Sequence, residues 1–315
     1  MPQLVTGVAG FIGSQLAESL VAAGEEVVGV DCFTPYYDRA DKEANLAALR
    51  EHDGFRLVEA DLRDADLQPL LEGVDVVYHQ AAQPGVRLSW SDGFATYDSC
   101  NVLATQRLLE ASLHAGVRRV VYASSSSVYG NAERYPVTEG DLPRPHSPYG
   151  VTKLAAEHLC GLYAANHGLS TVSLRYFTVY GPRQRPDMAF HKLIEGALDQ
   201  QPFPLFGDGS HVRDFTYVGD VVRANVAAGR AEVAAGTVVN VCAGGSTVLR
   251  DVIDAVGDAV GAPVPIERHP EQPGDVQRTG GSNDAARSLL GWEPRTSLTE
   301  GIAAQVEWHR RRRSG

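Results

Sequence analysis

The sequence predicts an α/β protein built on a doubly wound, mostly parallel sheet, with a smaller α/β part towards the C-terminus. Short runs rich in β-branched residues alternate with amphipathic stretches through the first half of the 315 residues, as in repeated strand–helix units. The runs lack polar alternation, which is typical of strands buried on both faces. A glycine-rich loop also follows the first run and precedes the first amphipathic stretch, an order typical of the first turn of such a fold.

The predicted elements follow this alternation along the chain. Seven runs are predicted strands: QLVTG, EVVGVD, RLVEAD, DVVYHQA, RRVVYASS, TVSLRYFTVYG and TVVNVCAG. The amphipathic stretches predict helices at 14–23, 39–51, 96–114 and 149–167. Because the strands are joined through helices, they are expected to run parallel.

The regular alternation of predicted strands and helices ends near Gly181. From there on, frequent prolines indicate short helices and loops in place of regular strand–helix units. We expect a larger domain at 1–180, to which 215–245 contributes, and a smaller, partly interleaved domain at 181–315.

Composition excludes several classes of function. The net charge of −11 argues against non-specific binding to nucleic acid. No apolar run approaches the roughly 20 residues that span a bilayer, and no signal peptide opens the chain, so we expect no membrane partner. The four cysteines are scattered without a C-x-x-C pair, which argues against disulfides and a metal site and predicts a cytoplasmic protein.

The loop TGVAGFIGS carries Gly7, Gly10 and Gly13, a variant of the dinucleotide fingerprint of Rossmann folds. Such glycines let the backbone approach a pyrophosphate, and the N-terminus of the following helix adds partial positive charge. The second predicted strand ends in Asp31, whose carboxylate suits a ribose diol and would repel a 2′-phosphate, so NAD is favoured over NADP. Asp61, which ends the third strand, is a predicted neighbour of adenine.

The stretch HSPYGVTKL places Tyr149 and Lys153 four residues apart, on one face of a predicted helix. An ammonium and a nicotinamide cation beside a phenol stabilise its phenolate. Moving the phenol pKa from about 10 to about 7 takes roughly 4 kcal/mol, and the tyrosine would then act as a general base at neutral pH. The chain has only three lysines, which suggests that a compact ammonium is needed at Lys153.

These motifs resemble the extended short-chain dehydrogenase/reductase family, in particular its nucleotide-sugar epimerases and dehydratases. The glycine loop, the serine run YASSSSVYG and YGVTK carry the resemblance, and further similar segments span nearly the whole chain: HQAAQPGVR, LRYFTVYGPRQRPDMA, VRDFTYVGDVVRA and QPGDV. The resemblance implies bound NAD, with 1–180 as the NAD-binding domain and 181–315 as the nucleotide-sugar-binding domain. It also implies a homodimer formed through the helices near 96–114 and 149–167.

The resemblance implies three catalytic residues, Ser125, Tyr149 and Lys153. Tyr149 would take the O4 proton of a UDP-sugar while the C4 hydride leaves, and the hydride would return to the other face of a transient 4-keto sugar. The implied cofactor contacts are Gly7, Gly10, Phe11, Ile12, Gly13, Asp31, Lys42, Asp61, Leu62, Gln80, Ala81, Ala82, Tyr149, Lys153 and Tyr176.

Two positions of the serine run distinguish the types of reaction that members of the family catalyse. Dehydratases have Asp and Glu where this chain has Ser126 and Ser127, and UDP-glucuronate decarboxylases have Glu at the second. UDP-glucose epimerases have Asn where this chain has Thr178. The segments ASSSSVYG and YGPRQRPDMA most resemble those of UDP-glucuronate 4-epimerases. The resemblance is chemically consistent, since neutral hydroxyls can orient a substrate carboxylate without promoting CO₂ loss.

The substrate contacts implied by the resemblance extend beyond the serine run. They are Ser125, Ser126, Ser127, Thr178, Arg185, Arg213, Asp275, Asn101 and Arg87. Phe190 and Phe206 are candidates to flank uracil. One departure is Gln272, where the family often has Arg; Arg278 is a candidate replacement for that phosphate contact.

Several alternatives stay open. The first is a UDP-glucose or UDP-N-acetylhexosamine 4-epimerase, and the second is a UDP-glucuronate decarboxylase. A third, from another class, is a non-catalytic module that senses NAD or a nucleotide sugar. Such a module could dispense with Ser125, Tyr149 or Lys153, and all three are present. The arginines of the C-terminal tail, 310–313, have no assigned role.

Overall fold

The computed structural model describes residues 1–270 and 276–314. Its strands are β1 (Gln3–Thr6), β2 (Val27–Asp31), β3 (Phe55–Glu59), β4 (Val76–His79), β5 (Arg119–Ser125), β6 (Thr171–Tyr176), β7 (Thr178–Tyr180), β8 (Phe203–Phe206), β9 (Val212–Arg213), β10 (Phe215–Tyr217), β11 (Thr237–Val241), β12 (Thr247–Val248) and β13 (Ile266–His269). Its α-helices are α1 (Phe11–Ala22), α2 (Arg39–Arg50), α3 (Gln68–Leu71), α4 (Phe94–Tyr97), α5 (Ala104–Ala115), α6 (Pro148–His167), α7 (Ala189–Asp199), α8 (Val218–Arg230), α9 (Leu249–Val260), α10 (Asp284–Leu290) and α11 (Leu298–Ser314).

A seven-stranded sheet in the order β3-β2-β1-β4-β5-β6-β11 carries the fold, and every neighbouring pair is parallel. The prediction of a doubly wound parallel sheet is confirmed. The winding direction reverses between β1 and β4, so the chain leaves these two strands in opposite directions. A crevice opens at the carboxyl ends of the strands at such a point, and ligands of this fold bind there.

Both faces of the sheet are covered, as the apolar runs predict. Leu16 of α1 and Val221 of α8 are buried in the cluster on one face. Leu108 of α5 and Ala156 of α6 are buried in the cluster on the other. Beyond residue 181 the chain contributes α8 and β11 to this layered body and also forms a third cluster, centred on α7, α9 and α11.

The structure divides one predicted strand in two. TVSLRYFTVYG forms β6 and β7, because Phe177 donates its N–H to Val241 O in the large sheet whereas Thr178 donates to Asp214 O. From Thr178 onward the chain therefore pairs with β10 in a separate two-stranded sheet. This turn points the segment after β6 towards the C-terminal part of the molecule.

The predicted helix at 96–114 consists of three parts. A π-helical stretch, Asp98–Leu103, lies between α4 and α5. π-Helical turns add one residue and rotate the side chains that follow, and they often occur beside functional sites. Among the described residues, no helix combines the length and apolarity needed to cross a bilayer.

Candidate active site

A groove opens at the carboxyl ends of β1, β2, β4 and β5, where the winding of the sheet reverses. Every residue for which the sequence predicts a cofactor contact lines it, from Gly7 to Tyr176. Cys32, Thr34, Tyr36, Tyr37, Arg63, Gln83, Cys100 and Arg185 also line the groove. The groove joins the glycine loop at one end to Tyr149 and Lys153 at the other.

The glycine loop is packed so tightly that side chains are excluded. A Cβ on Gly13 would lie 2.2 Å from Gly7 O, and one on Gly7 would lie 2.7 Å from Ala81 N. Gly7 also has φ +66°, which other residues rarely adopt. Helix α1 begins at Phe11 without a side-chain cap, so its first amide groups and partial positive charge are available to the groove. These features fit a dinucleotide pyrophosphate.

Asp31 is held at the end of β2 by two backbone amides. Its Oδ2 accepts from Ala9 N at 3.0 Å and its Oδ1 accepts from Phe33 N at 2.8 Å. The carboxylate is therefore fixed beside the glycine loop, where a ribose diol would lie. Lys42 is 5% exposed and donates to Thr34 O at 2.9 Å, so it orders the loop after β2.

Sequence reasoning missed Arg63 at the third strand. Its guanidinium forms a two-pronged ion pair with Asp61, with Nη2 to Oδ2 at 2.6 Å. This pairing lowers the pKa of Asp61 and keeps its carboxylate charged. The loop residues Tyr36 and Tyr37 were also missed, although the consecutive aromatic pair after the Asp31 strand was a signal for them.

Tyr149 and Lys153 lie on one face of α6 at the far end of the groove. The pKa of the half-buried Tyr149 is raised because burial outweighs its hydrogen bond with Ser125 and the charge of Arg185. The pKa of Lys153 is lowered to about 7 by burial, against the influence of Cys160 and Glu157. The predicted drop in the Tyr149 pKa is therefore not produced by the protein's own groups, and Lys153 is the more easily titrated of the two.

The four serines divide between two tasks. Ser124 lines the groove and donates to Glu157 Oε2 at 2.6 Å. Ser125 is the last residue of β5, and its hydroxyl both contacts Tyr149 and accepts from Ser127 N at 3.1 Å. Ser126 and Ser127 lie half-buried in a short 3₁₀ turn directly after it.

Thr178 lies at the same edge of the sheet as this turn. Ser125 pairs with Tyr176 in the β5–β6 register; Ser126 follows Ser125 directly, and Thr178 follows Tyr176 after one residue, Phe177. Thr178 is half-buried at the start of β7. The structure thus brings the three predicted carboxylate-binding hydroxyls to one edge of the sheet.

Arg185 reaches the same end of the groove. It is already paired with Asp187, with Nε to Oδ1 at 2.9 Å, and Asp187 also accepts from the Tyr36 hydroxyl at 3.2 Å. The charge of Arg185 acts on the Tyr149 phenol. A substrate carboxylate near Arg185 would have to share the guanidinium with Asp187.

The remaining predicted substrate residues differ in their surroundings. Asn101 is 1% exposed, and its amide bonds to both the N–H and the carbonyl of Gln83 and to Thr152. Asn101 therefore supports the Gln83 loop. Its buried amide nitrogen already donates to Gln83 O and to the Thr152 hydroxyl, so its surroundings depart from the predicted substrate contact. Phe190 is a core residue stacked on Tyr180, which departs from the suggested uracil contact.

Two further predicted substrate contacts, Arg87 and Arg213, lie towards the C-terminal part. The exposed Arg87 places its guanidinium 4.7 Å from the centre of the half-buried Phe206 ring. Arg213 donates to the carbonyls of Val212 and Gln277. Asp275 and Gln272 lie outside the described residues.

One group of metal-ligating side chains comes together in residues 1–270 and 276–314, namely His191, Glu195 and His309. His309 and Glu195 share a hydrogen bond, and Arg313 pairs with the same carboxylate. The arginine supplies the positive charge that a cation would otherwise bring. This cluster joins α11 to α7 and lies outside the groove.

A parallel sheet that reverses at a glycine-lined groove, with a tyrosine and a lysine one helical turn apart, defines an enzyme that uses a nicotinamide dinucleotide. The chain belongs to the NAD dependent epimerase/dehydratase family, whose model matches residues 3–242. The family resemblance predicted from the motifs is confirmed.

Similar proteins of known structure or name cover nearly the whole chain. The UDP-glucuronic acid 4-epimerase from Bacillus cereus, in complex with UDP-glucuronic acid and NAD, has a TM-score of 0.95 and 41% sequence identity, covering 99% of each chain. The UDP-glucose 4-epimerase of Mycolicibacterium smegmatis is 41% identical over 318 residues, 98% of this chain and 99% of that one. The probable UDP-glucuronate 4-epimerase of Rhizobium meliloti is 37% identical over 331 residues, 98% and 97% of the two chains.

Proposed function

We propose that the protein is an NAD-dependent 4-epimerase that interconverts UDP-glucuronate and UDP-galacturonate. The observation that carries the proposal is the set of hydroxyls at the carboxyl ends of β5 and β6: Ser125 beside Tyr149, followed by the neutral hydroxyls of Ser126, Ser127 and Thr178. A bound NAD would accept the C4 hydride and return it. The chain's own groups handle the O4 proton and the sugar carboxylate.

Tyr149 is the group that takes and returns the O4 proton. Ser125 lies beside the phenol and offers a second hydroxyl to the same substrate oxygen. Nζ of Lys153 lies 4.6 Å from the centre of the Tyr122 ring, a contact that favours the charged form of the lysine. Since the protein alone raises the phenol pKa, the cofactor's charge is needed for Tyr149 to work near neutral pH.

The hydroxyls decide what becomes of the 4-keto sugar. A ketone at C4 lies β to the C5 carboxylate, and such an acid loses CO₂ when its C–C bond aligns with the carbonyl π system. Ser126, Ser127 and Thr178 can hydrogen-bond the carboxylate in another orientation. They also lack the acid and base that dehydration requires. The intermediate is therefore reduced again without diversion.

A second candidate substrate is UDP-glucose. The Mycolicibacterium smegmatis relative is a UDP-glucose 4-epimerase and is as similar in identity as the Bacillus cereus UDP-glucuronic acid 4-epimerase. Arg185, whose guanidinium lines the groove near Tyr149, favours a charged C5 substituent over a hydroxymethyl group, and the half-buried Thr178 at the start of β7 offers a hydroxyl in place of an amide. Arg87, Arg213 and Asp275 are proposed to hold the UDP part.

Product analysis by NMR tests the proposal. The purified protein is incubated with UDP-glucuronate, and separately with UDP-glucose, without added cofactor. We expect UDP-galacturonate with neither CO₂ nor a pentose product, and slower turnover of UDP-glucose. Turnover of UDP-glucose alone would instead establish the second candidate, and release of CO₂ with UDP-pentose would establish a decarboxylase.

We further propose a homodimer formed by α5 and α6. Leu103, just before α5, and Val151 and Leu162 of α6 are about half exposed, at 47%, 49% and 55%. Such large apolar side chains on adjacent helices support an interface. Leu162→Glu should yield a monomer by analytical ultracentrifugation. Leu142→Glu, a control at a 70% exposed loop position, should leave the dimer intact, and a monomeric wild type would refute the proposal.

We also propose that the protein works in the cytoplasm. All four cysteines are free thiols in the structure. Free thiols, two of them half-buried in the groove, suit a reducing compartment. Localisation of a tagged chain by cell fractionation tests this, and recovery in a secreted fraction would contradict it.

A further inference from the structure

Behind the catalytic serine lies a buried ion pair that the proposed mechanism does not use. Glu157 of α6 and Arg175 of β6 have side chains only 4% and 5% exposed. Arg175 donates from Nη2 to Glu157 Oε1 at 2.6 Å and from Nε to Oε2 at 3.0 Å. Each oxygen of the carboxylate thus accepts from the guanidinium, the geometry in which an Arg–carboxylate pair is most firmly oriented.

The same carboxylate holds the strand that carries the catalytic serine. Oε2 of Glu157 accepts the Ser124 hydroxyl at 2.6 Å. Ser124 and Arg175 are register partners on β5 and β6, so Glu157 bridges both strands from the helix above them. The next residue of β5 is Ser125, whose hydroxyl contacts Tyr149. The position of that hydroxyl therefore depends on the anchor one residue earlier.

Glu157 also lies on the face of α6 that carries the catalytic pair. Tyr149, Lys153 and Glu157 are spaced by four residues, so they follow one another along one side of the helix. The groups that act on Lys153 are Glu157 and Cys160 of α6, Tyr122 of β5 and His79 of β4. Glu157 supports the positive charge of Lys153, whose pKa burial lowers.

The guanidinium side of the pair is anchored in turn. Arg175 Nη1 donates to the Tyr129 hydroxyl at 2.7 Å, and Tyr129 donates to Asn240 Oδ1 at 2.7 Å. Asn240 belongs to β11, the edge strand of the sheet. The network runs from this edge through β6 and β5 to α6, so it reaches both the strand that carries Ser125 and the helix that carries Lys153.

We propose that Glu157 is a positioning residue that fixes Ser125 and Lys153 relative to each other without touching the substrate, an inference that rests on the proposed function. It acts on Ser125 through Ser124 and on Lys153 through charge. A role limited to stability would require only the ion pair with Arg175. The two roles predict different results when the pair is removed as a whole.

The main test is the double variant Glu157→Gln/Arg175→Met, because Glu157→Gln alone leaves a buried guanidinium without its counter-charge and can unfold the protein. We expect a folded variant that retains NAD, with kcat lowered about 10- to 100-fold and KM changed less than about threefold. The alkaline limb of the kcat–pH profile should move about one unit to lower pH, because Lys153 loses its proton more easily.

A second variant separates the two parts of the proposal. Ser124→Ala keeps the ion pair and its charge and removes only the anchor of β5. It should lower kcat while leaving the alkaline limb in place. An unchanged kcat in Ser124→Ala would remove the strand-positioning part.

One measurement does not depend on turnover, so it tests the role of Glu157 even if the proposed function is wrong. Because the chain has three lysines, protein labelled with [ε-¹³C]lysine gives three NMR signals, assigned with Lys42→Arg and Lys192→Arg. The Lys153 titration should move about one unit to lower pH in the double variant, whether or not the wild type epimerises a UDP-sugar. Wild-type kcat in the double variant, with an unmoved alkaline limb and an unmoved Lys153 titration, would overturn the proposal.

Discussion

Nδ1 of His79 lies 2.8 Å from the Thr6 hydroxyl, inside the sheet between the glycine loop and the catalytic helix. On its other side, Nε2 lies 3.0 Å from the Thr105 hydroxyl, which itself donates to Asn101 O at 2.6 Å. The Thr105 oxygen therefore accepts from Nε2–H. In the neutral imidazole, Nδ1 accepts from the Thr6 hydroxyl, and burial beside Lys153 lowers the pKa of His79 and so favours this neutral form.

His79 should make the folded protein sensitive to mild acid. Burial and the nearby Lys153 lower its pKa to about 3. The unfolded chain takes up the proton near pH 6.5 and the folded one does not, so stability is full above pH 6.5 and falls as the pH drops towards 3. Chemical denaturation between pH 6.5 and 4.5 should show a wild-type slope about 1.4 kcal/mol per pH unit steeper than that of His79→Asn. Equal slopes would contradict the neutral assignment.

Gly13→Ala should abolish cofactor binding. The new Cβ would lie 2.2 Å from Gly7 O, so the loop would have to open where the pyrophosphate is expected. NAD content after purification, measured by release and enzymatic assay, should fall to below about a tenth of wild type, a loss that corresponds to about 1.4 kcal/mol or more. Gly140→Ala is the matched control, because a Cβ there has no neighbour nearer than 4.0 Å. Full NAD content in Gly13→Ala would disprove the assigned loop.

Ser127→Glu should divert the intermediate towards CO₂ loss. Ser127 lies half-buried in the turn after Ser125, where a carboxylate would repel the sugar carboxylate and could also move a proton. The ratio of UDP-pentose to UDP-galacturonate, followed by NMR, should rise about tenfold or more. The control Ser127→Gln introduces a side chain of the size of Glu without its charge, and it should leave the product ratio near that of wild type. A product ratio that does not change in Ser127→Glu would refute the sorting role of this position.

Tyr149→Phe should remove epimerisation and leave the cofactor bound. The phenol is the group that handles the O4 proton, and general acid–base catalysis of this kind contributes 10²- to 10⁴-fold, so kcat should fall by about 10³-fold. Tyr163→Phe, on the same helix, loses only its hydrogen bonds with Glu110 and Gln106 and should keep most of the activity. Tyr149→Phe with more than a tenth of the wild-type rate would take Tyr149 out of its proposed role.

Much of this architecture was predictable because it depends on local sequence. Buried parallel strands have continuous apolar runs, and a glycine loop between strand and helix marks the start of the fold. The groove accordingly contains every residue predicted for the cofactor. Spacing along a helix was enough to place Tyr149 beside Lys153.

Other features could not be predicted, because they depend on contacts between residues that are distant in the sequence. The predicted strand is divided after Phe177 because Phe177 N–H donates to Val241 O, whereas the N–H of Thr178 donates to Asp214 O. Asn101 looked like a substrate ligand, but the Gln83 loop and Thr152 take up its amide. The sequence also suggested a lowered Tyr149 pKa, whereas the balance of burial against Ser125 and Arg185 is set by three-dimensional packing.

Isotope retention at C4 shows whether the C4 hydrogen moves as hydride during epimerisation. UDP-[4-²H]glucuronate is incubated in ordinary water with the purified protein, and the product is analysed by NMR. We expect UDP-galacturonate that retains deuterium at C4, because the hydrogen leaves and returns as hydride within the site. Loss of the deuterium to solvent, or inversion at another carbon, would contradict this expectation.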